Sequence, residues 1–419
     1  MSATVFDQTN LVSDQFGVAQ IQDKHLINPW GIALNPAAGA FWIADNDAGV
    51  ATLYTGDVKN SSLAKAPLVV SIPNGEATGI VNNTTMDFVV KDKAGHSAPA
   101  VFIFASEDGN ISGWNPTVPP PAPSTHAQPA THVNGAFFTG LGIASAGGKN
   151  FIYAADFAGG KIDVFDAQFH KTTLSGSFTD SHIPKGFSPH NIQNLGGNLF
   201  VTYAQHDPAH PDREVFGAGK GFVDEFDTSG HLIRRIASGG SLNAPWGLAL
   251  APKNFGSFGG DLLVGNLGDG HITAFDPTRN FNSEGQLKNA SGHTIAIQDL
   301  WGLQFGNGLS SGDTNALYFT AGSGHYQHGL FGSIRIARDI TTSTADDHGH
   351  ADLFVKGTGD ADQLSISEDV NAKTTTLVTD GRTQVFDHLF SQINIQLKGK
   401  HSHMTLDLPG TTTLSINEA

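Results

Sequence analysis

The chain has 419 residues, with no Cys, 50 Gly and 19 Pro, and only 15% of its residues are charged against 39% hydrophobic. That composition excludes disulfide scaffolds, Cys-ligated metal centres and thiol nucleophiles, and it is too apolar for a disordered chain. A formal charge of −16 with His neutral repels phosphate, which makes nucleic acid and anionic membranes poor partners.

The opening stretch, Met1 to Gln8, is polar and carries neither the basic nor the apolar region of an export leader. No apolar run is long enough for a transmembrane helix. Low charge density and the absence of Cys nevertheless suit an extracellular or periplasmic protein. A Gly-led apolar run then opens at Asn28-Pro-Trp-Gly-Ile-Ala-Leu. It recurs at Thr78-Gly-Ile-Val, Gly140-Leu-Gly-Ile-Ala, Pro189-His-Asn-Ile-Gln, Ala244-Pro-Trp-Gly-Leu and Leu300-Trp-Gly-Leu. Each copy leads into a second apolar run, such as Phe41-Trp-Ile-Ala or Phe151-Ile-Tyr-Ala-Ala. The clearest third runs are Lys161-Ile-Asp-Val-Phe-Asp, Phe222-Val-Asp-Glu-Phe-Asp and His271-Ile-Thr-Ala-Phe-Asp.

The landmarks Gly31, Gly79, Gly142, Asn191, Gly247 and Gly302 are separated by 48, 63, 49, 56 and 55 residues. The runs are short, rich in Val, Ile, Phe and Tyr, and bounded by Gly, Asp and Asn, which is strand chemistry. A repeat of this length with about four short strands predicts a six-bladed β-propeller over residues 1–340. A Gly near the start of each inner strand is expected, because six strands crowd one axis. Two insertions interrupt the repeat. Pro116 to Asn134 is expected to form an exposed polyproline-type loop. Gln205 to Lys220 is expected to form a polar loop. Residues 341–350 read as a linker. Residues 351–419 alternate in strand fashion and predict a small all-β module, with a few coils of β-solenoid as one form. Its Gly357-Thr-Gly-Asp-Ala-Asp turn is a candidate calcium loop.

Propeller connectivity brings the start of each inner strand and the turn after each second strand to one mouth. That grouping collects Asp45, Asp47, Glu107, Asp108, Asp156 and Asp269 from four blades. Converging carboxylates suit Ca²⁺ or another divalent cation, with Asp45, Glu107, Asp156 and Asp269 as candidate metal ligands. The same residue types are also what tight turns require. His190 is the one His at an inner-strand start and the candidate catalytic base, with Glu107 and Asp156 as acid/base partners. A second candidate metal set is His206, His210, His325 and His328 in two loops; Pro208 and Pro211 oppose the helix that would align the first pair. His401 and His403 have strand spacing on one face. Trp30, Trp246 and Trp301 occupy equivalent repeat positions and are expected to wedge blades together, with an aromatic lining for a carbohydrate as the alternative.

Several strings fall in order along residues 8–337: Asn28-Pro-Trp-Gly, Phe41-Trp-Ile-Ala-Asp-Asn, Ser106-Glu-Asp-Gly-Asn-Ile-Ser-Gly-Trp-Asn, Ala154-Ala-Asp-Phe and Gly329-Leu-Phe-Gly. In these the chain resembles a family of uncharacterised, mostly exported bacterial proteins. The resemblance implies a propeller and export but no activity. More distantly the Pro-Trp-Gly-Ile-Ala repeat is similar to NHL-type and gluconolactonase-like propellers, some of which carry an axial metal that assists lactone hydrolysis or lyase chemistry. Three functions follow as expectations. The first is a secreted scaffold that binds a protein, a small molecule or a carbohydrate at the mouth. The second is a metal-assisted hydrolase or lyase at the same place. The third is a surface or fibre protein assembling through residues 351–419.

Overall fold

Each short apolar run forms a strand, and successive strands pair in antiparallel order because only tight Gly/Asp/Asn turns separate them. The computed structural model describes residues 4–37, 39–59, 61–337, 340–347, 350–357, 363–379, 382–397, 403–409 and 412–418. The first blade runs Pro29–Leu34, Phe41–Asp45, Val50–Thr55 and Ala64–Ser71. The second to fifth blades open on the inner strands Ala77–Asn82, Phe138–Ala146, Phe187–Leu195 and Pro245–Leu250, each heading a four-stranded sheet. The sixth blade takes only Leu300–Phe305, Leu317–Ala321 and Leu330–Ile336 from the local chain; its fourth, outer strand is Phe6–Ser13, antiparallel to Leu330–Ile336, with the two-residue strand Ile21–Gln22 added in parallel beyond it. The inner strands follow one another around an axis, and the sixth lies against the first. The architecture is a six-bladed propeller.

Alternation along the strands builds the cores. Phe41 and Ile43 join Tyr318 and Phe331 of the sixth blade, while Trp42 and Ala44 join Phe102, Phe104 and Trp114 of the second. Corresponding apolar clusters fill the other blade interfaces. The axial crowding is visible at Gly79, where a Cβ would meet the Leu141 amide nitrogen at 2.4 Å. Nothing larger than hydrogen fits there.

The Pro-rich insertion is not simply exposed. Val118 is buried, the Trp114 indole donates to Ser124 O at 2.8 Å, and Gln128–His132 forms the outer strand of the second blade. After the sixth blade, two four-stranded sheets enclose Leu353, Val355, Leu364, Ile366, Leu377 and Ile393. His350–Gly357, Gln392–Leu397 and Thr413–Glu418 stack in parallel, as do Gln363–Asp369 and His403–Asp407. Parallel stacking of successive coils is the solenoid pattern. Residues 341–350, read as a linker, hold most of the strand Ile340–Asp347, which pairs with His350–Gly357. The calcium-loop turn beyond Gly357, and His401, lie outside the described residues.

Candidate functional site

The chain turns sharply into each inner strand, and the residue that makes the turn is often left-handed. Asn28, Glu76, Ala244 and Asp299 have φ of 46°, 51°, 47° and 55°, each immediately before an inner strand. Holding four non-Gly residues in that region costs roughly 1–3 kcal/mol each and fixes the rim's shape. Two residues further along, Trp30, Trp246 and Trp301 converge on the axis. Trp30 and Trp301 stack with centroids 3.6 Å apart and planes 17° apart, and Trp246 sets its edge against both. The Trp301 indole donates to Asn28 Oδ1 at 3.1 Å, and that of Trp246 to Thr139 O at 2.9 Å across the ring. The three tryptophans therefore plug the channel instead of wedging neighbouring blades.

His190 lies within this plug. Its ring stands 5.2 Å from Phe157 and 6.1 Å from Trp301, Nδ1 bonds to Pro245 O at 3.0 Å, and the side chain is fully buried. Burial pushes its imidazole down to about 4, with the Pro245 contact opposing. At neutral pH it is an uncharged ring sealed among aromatic side chains.

Above the plug stands an acidic group. Glu107 Oε1 accepts from Asn46 Nδ2 at 2.9 Å, and Asn46 Oδ1 in turn accepts from Asn28 Nδ2 at 3.5 Å. Burial pushes the Glu107 carboxyl up to about 7; Asn46 opposes this, and Glu76, Asp47 and Glu214 add to it. Burial also raises Asp47 and Glu214. Glu214 comes from the polar loop of the fourth blade, and Tyr326, from the sixth, donates to its Oε1 at 3.4 Å over the tryptophans. Of these acids the sequence reading singled out Asp47 and Glu107 and missed Glu76 and Glu214. The position of Glu76 directly before an inner strand was the available signal. Glu214 carried none, because its loop has no repeat counterpart.

The other candidates go to separate places. Asp156 is buried and accepts from Phe137 N at 3.1 Å, Gly159 N at 2.9 Å and Lys161 Nζ at 2.5 Å, so it ties its own turn. Asp269 accepts from Asn266 Nδ2 at 3.0 Å and Asn243 Nδ2 at 3.3 Å. Asp45 points into the seam between the first and sixth blades. The His206 ring bonds to Asp207 O at 3.4 Å, His210 is exposed, and His325 is exposed at φ 57°. His328 pairs with Asp14 at 2.8 Å. Among the described residues no three His, Asp or Glu side chains come together at metal-binding spacing.

Beyond the plug the channel widens into a cavity of about 540 Å³. Trp246 closes one end, and the walls run along the inner strands to Asn82, Gln193, Asn194, Gln304 and Asn307 at the other. None of the predicted catalytic or metal-binding residues lines it, and among the described residues its walls carry no ionisable side chain. Asn82 Oδ1 has no hydrogen-bond partner among the described residues.

No protein-family model matches the chain. An uncharacterised protein of Acanthamoeba polyphaga mimivirus is 34% identical over 339 residues, which span 80% of this chain and 81% of the viral one. A second from the same virus is 31% identical over 333 residues, spanning 77% and 84%. These relatives are viral, where the motif strings pointed to bacterial proteins. Among solved structures, the soluble aldose sugar dehydrogenase of Escherichia coli aligns with a TM-score of 0.46 at 12% identity, covering 80% of this chain and all of that one. The calcium-binding protein regucalcin of Agrobacterium tumefaciens aligns with a TM-score of 0.41 at 12% identity, over 74% and 90%. Nothing about this chain is argued from alignments so distant. By its sequence, the chain belongs to the family of the uncharacterised mimivirus proteins.

Proposed function

We propose that the protein is a binding scaffold whose axial channel takes a small, uncharged, hydroxyl-rich ligand of the carbohydrate class. One observation carries this reading: a cavity of about 540 Å³ lined by amide and apolar side chains, with an indole at its closed end. Cavities of roughly 300–1,000 Å³ hold small ligands, and a few placed polar groups orient them. Amides both donate and accept, as sugar hydroxyls do. A wall without charge offers nothing to an anion or cation. The fold itself hosts many functions and does not decide among them. An extracellular or periplasmic setting suits this acidic, Cys-free composition, and fractionation of producing cells tests it.

Titration calorimetry against neutral mono- and disaccharides, sugar acids and amino sugars tests the ligand class. Neutral sugars are expected to bind, and Gln193→Ala to weaken them about tenfold, the value of one or two hydrogen bonds. Binding confined to the charged sugars, or binding untouched by Gln193→Ala, would overturn the reading.

A second reading places chemistry at the acidic mouth, as a hydrolase or lyase. Its support is Glu107, whose carboxyl at about 7 matches the requirement for proton transfer near neutrality. His190 is a poor base for it, being sealed in the plug. A lactone panel assayed with Glu107→Gln separates the two readings: turnover that this substitution removes favours the enzyme.

A further inference from the structure

The seam between the first and sixth blades holds polar groups that the axial site does not use. Asp45 ends the strand Phe41–Asp45, and alternation puts it on the same face as Phe41 and Ile43, toward the sixth blade. Its side chain is 0% exposed, and neither carboxyl oxygen has a hydrogen-bond partner among the described residues. Thr52, on the adjacent strand opposite Ile43, is also 0% exposed, and its hydroxyl is likewise unpartnered. The Thr52 hydroxyl and amide face Asp45 without closing a hydrogen bond. A second buried carboxylate, Asp23, stands in the same seam. It is fully engaged: Tyr54 donates to Oδ2 at 2.7 Å, Lys65 Nζ to Oδ1 at 2.7 Å and His25 N to Oδ1 at 3.0 Å.

The ammonium nearest Asp45 is that of Lys65, and it is bonded to Asp23, which the His25 ring also approaches at 3.3 Å. Burying an isolated carboxylate without a counter-charge is prohibitive. Two carboxyl oxygens and a hydroxyl oxygen, all buried and none in a closed hydrogen bond, offer a hard cation three oxygen ligands in this seam.

We propose that Asp45 and Thr52 hold a hard, oxygen-preferring cation in the seam between the first and sixth blades, with Asp23 supplying the second negative charge nearby. The site joins two carboxyls rather than three, so main-chain oxygens or water complete its shell. It lies at the junction where the N-terminal segment meets the first blade, and cation binding there reinforces ring closure. Nothing in this proposal depends on a ligand in the axial channel.

The test uses the full chain, stripped with a chelator and dialysed, then heated with 1 mM-scale (about) Ca²⁺, Mg²⁺ or Na⁺. Ca²⁺ is expected to raise the melting temperature by about 2–5 °C, with about one equivalent bound by elemental analysis. Asp45→Asn is expected to abolish the response, and Asp269→Asn, at the mouth, to keep it. A response to Mg²⁺ or Na⁺ that Asp45→Asn abolishes supports the site equally and identifies the ion. If no cation shifts the wild type and none is bound, or if Asp45→Asn responds as the wild type does, the proposal is overturned. Should Asp45→Asn fail to fold, Thr52→Val carries the test: at least about tenfold weaker Ca²⁺ binding is expected, and undiminished binding overturns the site.

Discussion

The two ends of the propeller axis are built from the same six strands and differ in almost every physical property. At the strand starts, three indoles fill the bore, a histidine is buried uncharged, and Asp47, Glu76, Glu107 and Glu214 gather above them. At the strand ends, the bore is open and lined by amides. Each inner strand has a register shift near its start, but the larger difference is one of side chains. It comes from the second residue of three inner strands, where Trp stands in the first, fifth and sixth blades. One position repeated three times decides which end of a propeller is a plug and which is a pocket.

The strongest way to break this contrast is Trp301→Ala. The side chain is 1% exposed and stacked on Trp30, so truncation is expected to destabilise the fold by about 3–5 kcal/mol and open the cavity toward the acidic end. Urea denaturation measures the first effect, and access of a small fluorescence quencher to the remaining tryptophans the second. Gly247→Ala tests the close approach beside the plug, since its Cβ would stand 2.5 Å from Trp301 O. Overpacking of this kind costs about 1–3 kcal/mol, again read by denaturation.

The smallest expected effect concerns the acidic end. The Glu107 carboxyl rises from its ordinary 4.5 to about 7 in the folded protein. The folded state thus keeps a proton that the unfolded chain has lost over that interval. Its contribution to stability is complete below about 4.5 and disappears as pH rises through about 7. Glu107→Gln keeps an oxygen for Asn46 and cannot ionise. Between pH 5 and 8 its melting temperature should fall less than that of the wild type, and parallel curves would show that Glu107 stays ionised.

Much of this was legible beforehand. Gly31, Gly79, Gly247 and Gly302 marked the inner strands because a steric demand recurs at each one. The equivalence of Trp30, Trp246 and Trp301 was legible too, but their meeting point was not, since spacing along a strand does not say how far a side chain reaches toward an axis. Asp156 and Asp269 looked like ligands because a turn and a metal ask for the same chemistry; here backbone and side-chain N–H groups took their oxygens. The sixth blade's outer strand was hidden, because Phe6–Ser13 sits at one end of the sequence and its partner near the other.

That last arrangement has a consequence for synthesis. Ser13 Oγ donates to Gly329 O across 316 residues of chain. A ribosome adding about 5–20 residues per second needs about 15–60 s between emitting the two. During that interval the first strand has no sheet to join and the first blade lacks one neighbour. The nascent ring is a crescent with two raw ends, and it becomes a closed circle only when the last blade arrives to take the first strand in.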